Sequence, residues 1–98
     1  MITLLQLRKC PWAAAVRQTL ANVEQDYGVI QVPYDRALRD EVVALTGQDK
    51  TPVLIDGATI LWGSREIVAY LYETYGDRRQ HERAQEIRDE IRDSAATH

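Results

Sequence analysis

The chain has 98 residues, with 12 basic and 15 acidic side chains for a net charge of −3, and 45% of it is apolar. That is one domain's length with enough apolar content for a core, and the negative balance argues against a nucleic-acid or anionic-membrane partner. A single cysteine, Cys10, excludes an internal disulfide framework, and with only His81 and His98 beside it no four-ligand zinc site can be assembled, so no metal is expected.

Ile2 to Leu7 is a short, mostly apolar run that reads as a buried strand. Arg8-Lys9 follow it, whereas a secretory signal places its basic residues first, and no run reaches membrane-spanning length. A cytoplasmic, reducing location in which an unpaired thiol persists is therefore expected. Cys10-Pro11 breaks the strand, and proline suits the first position of a helix. Ala13, Val16, Leu20 and Val23 then share one helical face, and Asp26-Tyr27-Gly28 is the expected stop. Val29 to Tyr34 reads as a second strand, and its Pro33 suits a sheet edge.

Ala37 to Leu45 predicts a short second helix burying Leu38, Val42, Val43 and Leu45 and closed by Thr46-Gly47. Val53-Leu54-Ile55, Asp56-Gly57 and Ala58 to Trp62 predict a hairpin turning at Asp-Gly. Ser64 reads as the N-cap of a third helix that buries Ile67, Val68 and Leu71, carries Tyr70, Tyr72 and Tyr75, and stops at Gly76. Asp77 and Gln80 have capping-box spacing. A charged terminal helix follows, with Ala84, Ile87, Ile91 and Ala95 as a thin apolar stripe and Arg83–Glu86 and Asp89–Arg92 as ion pairs. That helix is expected to lie on the domain surface, with a partner helix as the alternative. The order predicts an α/β fold, β-α-β-α-β-β-α, with a four-stranded mixed sheet covered on both faces.

Two places carry chemistry. A lone cysteine is ordinarily a small buried hydrophobe, but Cys10 lies between a strand and the first turn of a helix, beside Arg8 and Lys9. That setting favours the thiolate, which is the attacking form. Thr51-Pro52 opens the third strand, either as an ordinary strand-initiating proline or as a cis bond. In the second case the backbone N–H and C=O of Val53 are expected to be free for a peptide-like ligand.

Cys10-Pro11-Trp12-Ala13, Thr51-Pro52-Val53-Leu54-Ile55 and Gly63-Ser64-Arg65-Glu66-Ile67-Val68-Ala69-Tyr70-Leu71, in that order, resemble a thioredoxin-fold protein. The nearest likenesses are glutaredoxins and the glutathione-binding N-terminal domain of glutathione S-transferases. The resemblance covers residues 1–76, read as one thioredoxin-fold domain, with 77–98 as a charged helix packed on it or extending from it. It implies glutathione, or another low-molecular-weight thiol, as co-substrate. Cys10 would form the mixed disulfide, Val53 after Pro52 would pair with the cysteinyl unit, and Ser64 with Arg65 would take the γ-glutamyl carboxylate. Lys50 beside Thr51 would reach the glycine carboxylate, with Lys9 or Arg8 the alternative, and Trp12 would shield the sulfur. Trp62 is either core or part of the same site.

Two positions depart from the family pattern. Ala13 stands where a resolving cysteine would, and Gly63 where transferase domains carry an acidic residue before the serine. The implied activity is a glutathione-dependent thiol–disulfide oxidoreductase of monothiol glutaredoxin type. Its partners would be glutathionylated or disulfide-containing proteins, and the chain a monomer or weak homodimer. A non-catalytic glutathione- or thiol-binding module is the alternative. Iron–sulfur binding ranks lower because Pro11 replaces the small glycine of cluster-binding motifs. Residues 77–98 supply one helix where full transferases carry a helical second domain, so conjugating activity is not expected.

Overall fold

The computed structural model describes residues 1–96. A strand β1 (Ile2–Gln6), helix α1 (Pro11–Asn22) and strand β2 (Tyr27–Gln31) come first. A 3₁₀ turn (Arg36–Leu38) leads into α2 (Asp40–Thr46), then the hairpin β3 (Val53–Asp56) and β4 (Thr59–Trp62), α3 (Ser64–Tyr75) and α4 (Arg78–Ala96). The sheet order is β2-β1-β3-β4, with β1 parallel to β2 and antiparallel to β3, and β3 antiparallel to β4. This is the expected thioredoxin-like arrangement.

Alternation along the strands divides the core between two faces. Ile2, Leu4 and Leu54 pack with Val16 and Leu20 of α1 and Ile67 and Leu71 of α3. Leu5 and Val53 point the other way, to Val42 of α2 and to Val32. Ala13, Val16, Leu20 and Val23 are all buried, as their helical spacing predicts. The expected helix from Ala37 is split into the 3₁₀ turn, where Leu38 is exposed, and α2, where only Val42 is buried and Val43 and Leu45 stand exposed, because seven residues present barely one apolar row to the sheet.

Several boundaries differ from the sequence reading. Helix α1 ends at Asn22, well before Gly28, which instead lies in β2 opposite Thr3. The stop is a Schellman arrangement: Gln25 N–H donates to Leu20 C=O at 3.0 Å and Glu24 N–H to Ala21 C=O at 3.1 Å, with Glu24 left-handed at φ 56°. A glutamate holds the position that glycine usually takes, so the composition gave no stop signal. Strand β2 consequently starts and ends earlier than expected, and Pro33 lies just past its end. The hairpin loop is Gly57-Ala58, with Gly57 at φ 61° and Asp56 paired to Thr59 inside the ladder.

Asp56 is therefore more than a turn former. It accepts the hydroxyls of Tyr70 at 2.8 Å and Tyr75 at 2.5 Å, pinning the hairpin tip to α3. Tyr75 is pushed up to about 12, first by that hydrogen bond and then by burial. Tyr70 is also raised, mainly by burial and then by Asp56.

Helix α3 closes at Gly76, where an added β-carbon would lie 2.4 Å from the Tyr72 carbonyl oxygen. The Asp77–Gln80 capping box forms reciprocally, with backbone N–H donors at 2.9 and 2.8 Å from the two side chains. Ala84 and Ile87 of α4 are buried and α4 packs along α3. Both expected ion pairs are present, Arg83–Glu86 at 2.9 Å and Arg92–Asp89 at 2.5 Å. Arg88 adds a bridge to Glu66 and Glu73 of α3, each at 2.6 Å. His81 is exposed, the side chain of Ala95 and the whole of His98 lie outside the described residues, and no described helix is long and apolar enough to cross a membrane.

Candidate functional site

The site forms where β1 ends, α1 begins and β3 is entered. Cys10 is the N-cap residue of α1, in extended conformation at φ −82° and ψ 121°, with Pro11 at the first helical position. Its carbonyl accepts the N–H of Ala14 at 3.1 Å, and its sulfur makes no capping hydrogen bond. The thiol is half-buried and opens on a cleft of about 290 Å³. Trp12, Lys50 and Thr51 line the same cleft, so four residues named from the sequence meet there. Trp12 is 63% exposed and stands as a rim rather than a cover.

The Thr51–Pro52 bond is cis, and Pro52 is buried. Pro52 C=O accepts the N–H of Gly63 at 3.1 Å, which sets the start of α3 directly beside it. Because Pro52 faces β4, the next residue faces β1, where Val53 is opposite Leu5. Gln6 C=O is directed at β2, accepting from Val32 N–H at 2.8 Å, so Leu5 in turn faces β3. The N–H and C=O of Val53 are thus taken up by Leu5. The expectation that Val53 offers a free backbone is corrected by ladder geometry. Thr51, one residue before Pro52, has no partner for its backbone N–H and C=O among the described residues, and it lines the cleft.

Ser64 is the first residue of α3, and Gly63, at φ 90°, is its N-cap. The hydroxyl of Ser64 is therefore not used for capping. It lies one residue from the Gly63–Pro52 hydrogen bond, next to the unpaired N–H groups of a helix start. Arg65 is exposed and forms no ion pair among the described residues. Trp62 faces a separate depression with Leu61 and Glu66 and does not line the Cys10 cleft. Arg8 and Lys9 are exposed in the turn before Cys10, and Lys9 is left-handed at φ 60°.

The cleft also holds two residues that the sequence reading did not single out, Arg36 and Arg39. Arg36 lies in the 3₁₀ turn and Arg39 just before α2. Their signal was weak: two arginines in a polar connection resemble any solvated loop, and only the fold brings that loop over Cys10.

The profile of the glutathione S-transferase N-terminal domain matches residues 4–79. Among solved structures, glutathione transferase E6 from Drosophila melanogaster is 32% identical, with a TM-score of 0.71 over 79% of this chain and 36% of that one. Bombyx mori glutathione transferase BmGSTD1 is 31% identical, with a TM-score of 0.70 over 78% of this chain and 36% of that one. A glutathione transferase homolog from Drosophila mojavensis, solved with bound glutathione, is 28% identical, with a TM-score of 0.71 over 78% and 36% of the two chains. The matched region thus spans about a third of the length of these solved proteins. No curated protein sequence matches the chain.

Proposed function

The chain belongs to the glutathione S-transferase N-terminal domain family, and from that premise we propose that it binds glutathione in the Cys10 cleft and uses Cys10 for glutathione-dependent thiol–disulfide exchange. One observation carries the reading: a thiol at the start of a helix opens on a cleft that it shares with the unpaired extended backbone of Thr51. A peptide-like thiol laid against Thr51 as an added strand brings its sulfur to Cys10. In this reading Thr51, rather than Val53, pairs with the cysteinyl unit. Ser64 and the start of α3 take the γ-glutamyl carboxylate with Arg65 nearby, Lys50 takes the glycine carboxylate, and Trp12 walls one side of the sulfur.

The cycle has two displacements. The Cys10 thiolate attacks the glutathione sulfur of a mixed disulfide, forming Cys10–S–S–glutathione and expelling the substrate thiolate. A second glutathione thiolate then attacks the glutathione sulfur held on Cys10, releasing oxidised glutathione and restoring the Cys10 thiolate. One glutathione thiol is consumed per mixed disulfide: the substrate leaves as a thiolate and takes up the proton that glutathione gave up, and the incoming and the transferred glutathionyl units form oxidised glutathione. Ala13 is buried where a second thiol would be needed, so the resolving sulfur comes from outside the chain. Glutathionylated or disulfide-containing proteins fit as substrates, and a reducing compartment such as the cytoplasm suits the free thiol.

Conjugation of glutathione to an electrophile is the second reading, favoured by the glutathione transferases among the similar structures. In that case glutathione itself is the nucleophile and Cys10 only adjoins it. Turnover of a glutathione mixed disulfide and of an aryl halide, by wild type and Cys10→Ser, separates the two. Disulfide turnover abolished by Cys10→Ser supports exchange. Aryl halide conjugation that survives in Cys10→Ser, without disulfide turnover in the wild type, overturns it.

A further inference from the structure

Strand β2 forms one edge of the sheet. Val32 N–H donates to Gln6 C=O at 2.8 Å, so Val32 faces β1. In a parallel ladder the N–H and C=O of one residue share a side and successive residues alternate, so Gly28 and Ile30 also face β1. The backbone groups of Tyr27, Val29 and Gln31 therefore point outward and have no hydrogen-bond partner among the described residues. Sheet edges are normally blunted by lysine, proline, an inward charge or a bulge. Residues 27–34 carry no charge, and Pro33 lies past the end of the strand. Gly28 leaves open space where a side chain would stand.

A groove of about 410 Å³ opens beside this edge, toward α2. Leu5, Val32 and Val42 lie buried in it, Ile30 and Leu38 are exposed along it, and the exposed Asp40 and Glu41 also line it. Arg39 reaches the groove but is buried, its guanidinium donating to the carbonyls of Pro33 and Tyr34, each at 2.8 Å, and of Asp49 at 2.9 Å. Residues 24–41 hold five carboxylates against two guanidinia, and none of these groups is in an ion pair among the described residues. The edge is thus negative. Two copies of it set side by side would repel, whereas a cationic strand is attracted.

We propose that the β2 edge and its groove bind an extended, cationic segment of a partner protein as an added strand. Hydrogen bonds to the backbone of Tyr27, Val29 and Gln31 supply affinity, and the groove supplies selectivity. Alternate apolar side chains of the segment sit over Gly28 and against Ile30, Val32 and Leu38, and its lysines or arginines lie beside Asp40 and Glu41. This surface is separate from the proposed chemistry of Cys10.

The probe is a short acetylated and amidated peptide in which valine alternates with threonine between paired lysines, titrated into isotopically labelled protein and followed by NMR. The N–H groups of Tyr27, Val29 and Gln31 should shift and exchange more slowly with solvent, while those of Gly28 and Ile30, already bonded to β1, keep their exchange rates. Glutamate in place of the lysines should weaken binding at least about tenfold, and Asp40→Asn/Glu41→Gln about threefold, with added salt weakening it as well. N-methylation of the peptide nitrogens that face β2 should abolish it. The proposal is overturned by no shift at about 1 mM peptide, by equal binding of the lysine and glutamate peptides, by full binding of the N-methylated peptide, or by shifts confined to the Cys10 cleft. Concentration-dependent protection of the same three N–H groups without peptide would make a second copy the occupant and overturns it too. If the double substitution unfolds α2, the peptide series decides. Cys10→Ser should bind the peptide as wild type does, so peptide binding without disulfide exchange refutes the proposed function alone, and exchange without peptide binding refutes this inference alone.

Discussion

Replacing Gly76 by alanine tests the joint between α3 and α4. The added β-carbon would sit 2.4 Å from the Tyr72 carbonyl oxygen and 2.7 Å from the β-carbon of Gln80. The first contact is with backbone that already accepts the Gly76 N–H at 3.1 Å, so relief requires the end of α3 to move. Overpacking of this kind costs about 1–3 kcal/mol, and losing the hydrogen bond adds roughly 1 kcal/mol. Alanine also restricts the unfolded chain, which returns about 0.4–1 kcal/mol. The net expectation is a loss of about 1–3 kcal/mol, and each kcal/mol lowers the melting midpoint of a chain this size by roughly 4–8 °C. Urea unfolding with an unchanged m-value measures it. Gly76→Ala/Gln80→Gly removes one of the two obstacles, the Gln80 β-carbon, and should cost less than the sum of the single substitutions. A Gly76→Ala protein as stable as wild type would refute the steric argument.

Two further substitutions test the site and the hairpin. Ser64→Ala should leave the melting temperature unchanged, because Gly63 rather than Ser64 caps α3, while glutathione binding by calorimetry weakens about 2–10-fold from one lost hydrogen bond; a stability loss near 1 kcal/mol would instead mark Ser64 as a cap. Asp56→Asn should bring the two late-titrating tyrosines back toward 10. The folded-state value of Tyr75 lies above the unfolded one, so its contribution is complete below pH 10 and is lost as pH rises through about 12. Phenolate absorbance in Asp56→Asn that still shows delayed titration would discredit the carboxylate as the cause.

The sequence by itself determined the order of elements, the two-faced core and the neighbourhood of Cys10. These follow from local rules: alternation in strands, helical spacing in α1 and α3, proline at the first helical position, and the reciprocal Asp77–Gln80 cap. It also named Cys10, Trp12, Lys50 and Thr51, which the fold gathers around one cleft. What depended on partners distant in the chain could not be read. The end of α1 rests on a glutamate in a left-handed conformation, which composition does not signal. Whether Val53 or Thr51 keeps a free backbone depends on which side of β3 faces β1, a matter of ladder register. Arg39 became part of the site only because the loop after β2 and the loop before β3, separate in sequence, close on one guanidinium. Local chemistry placed the sulfur at the start of a helix, and tertiary structure alone surrounded it with charge.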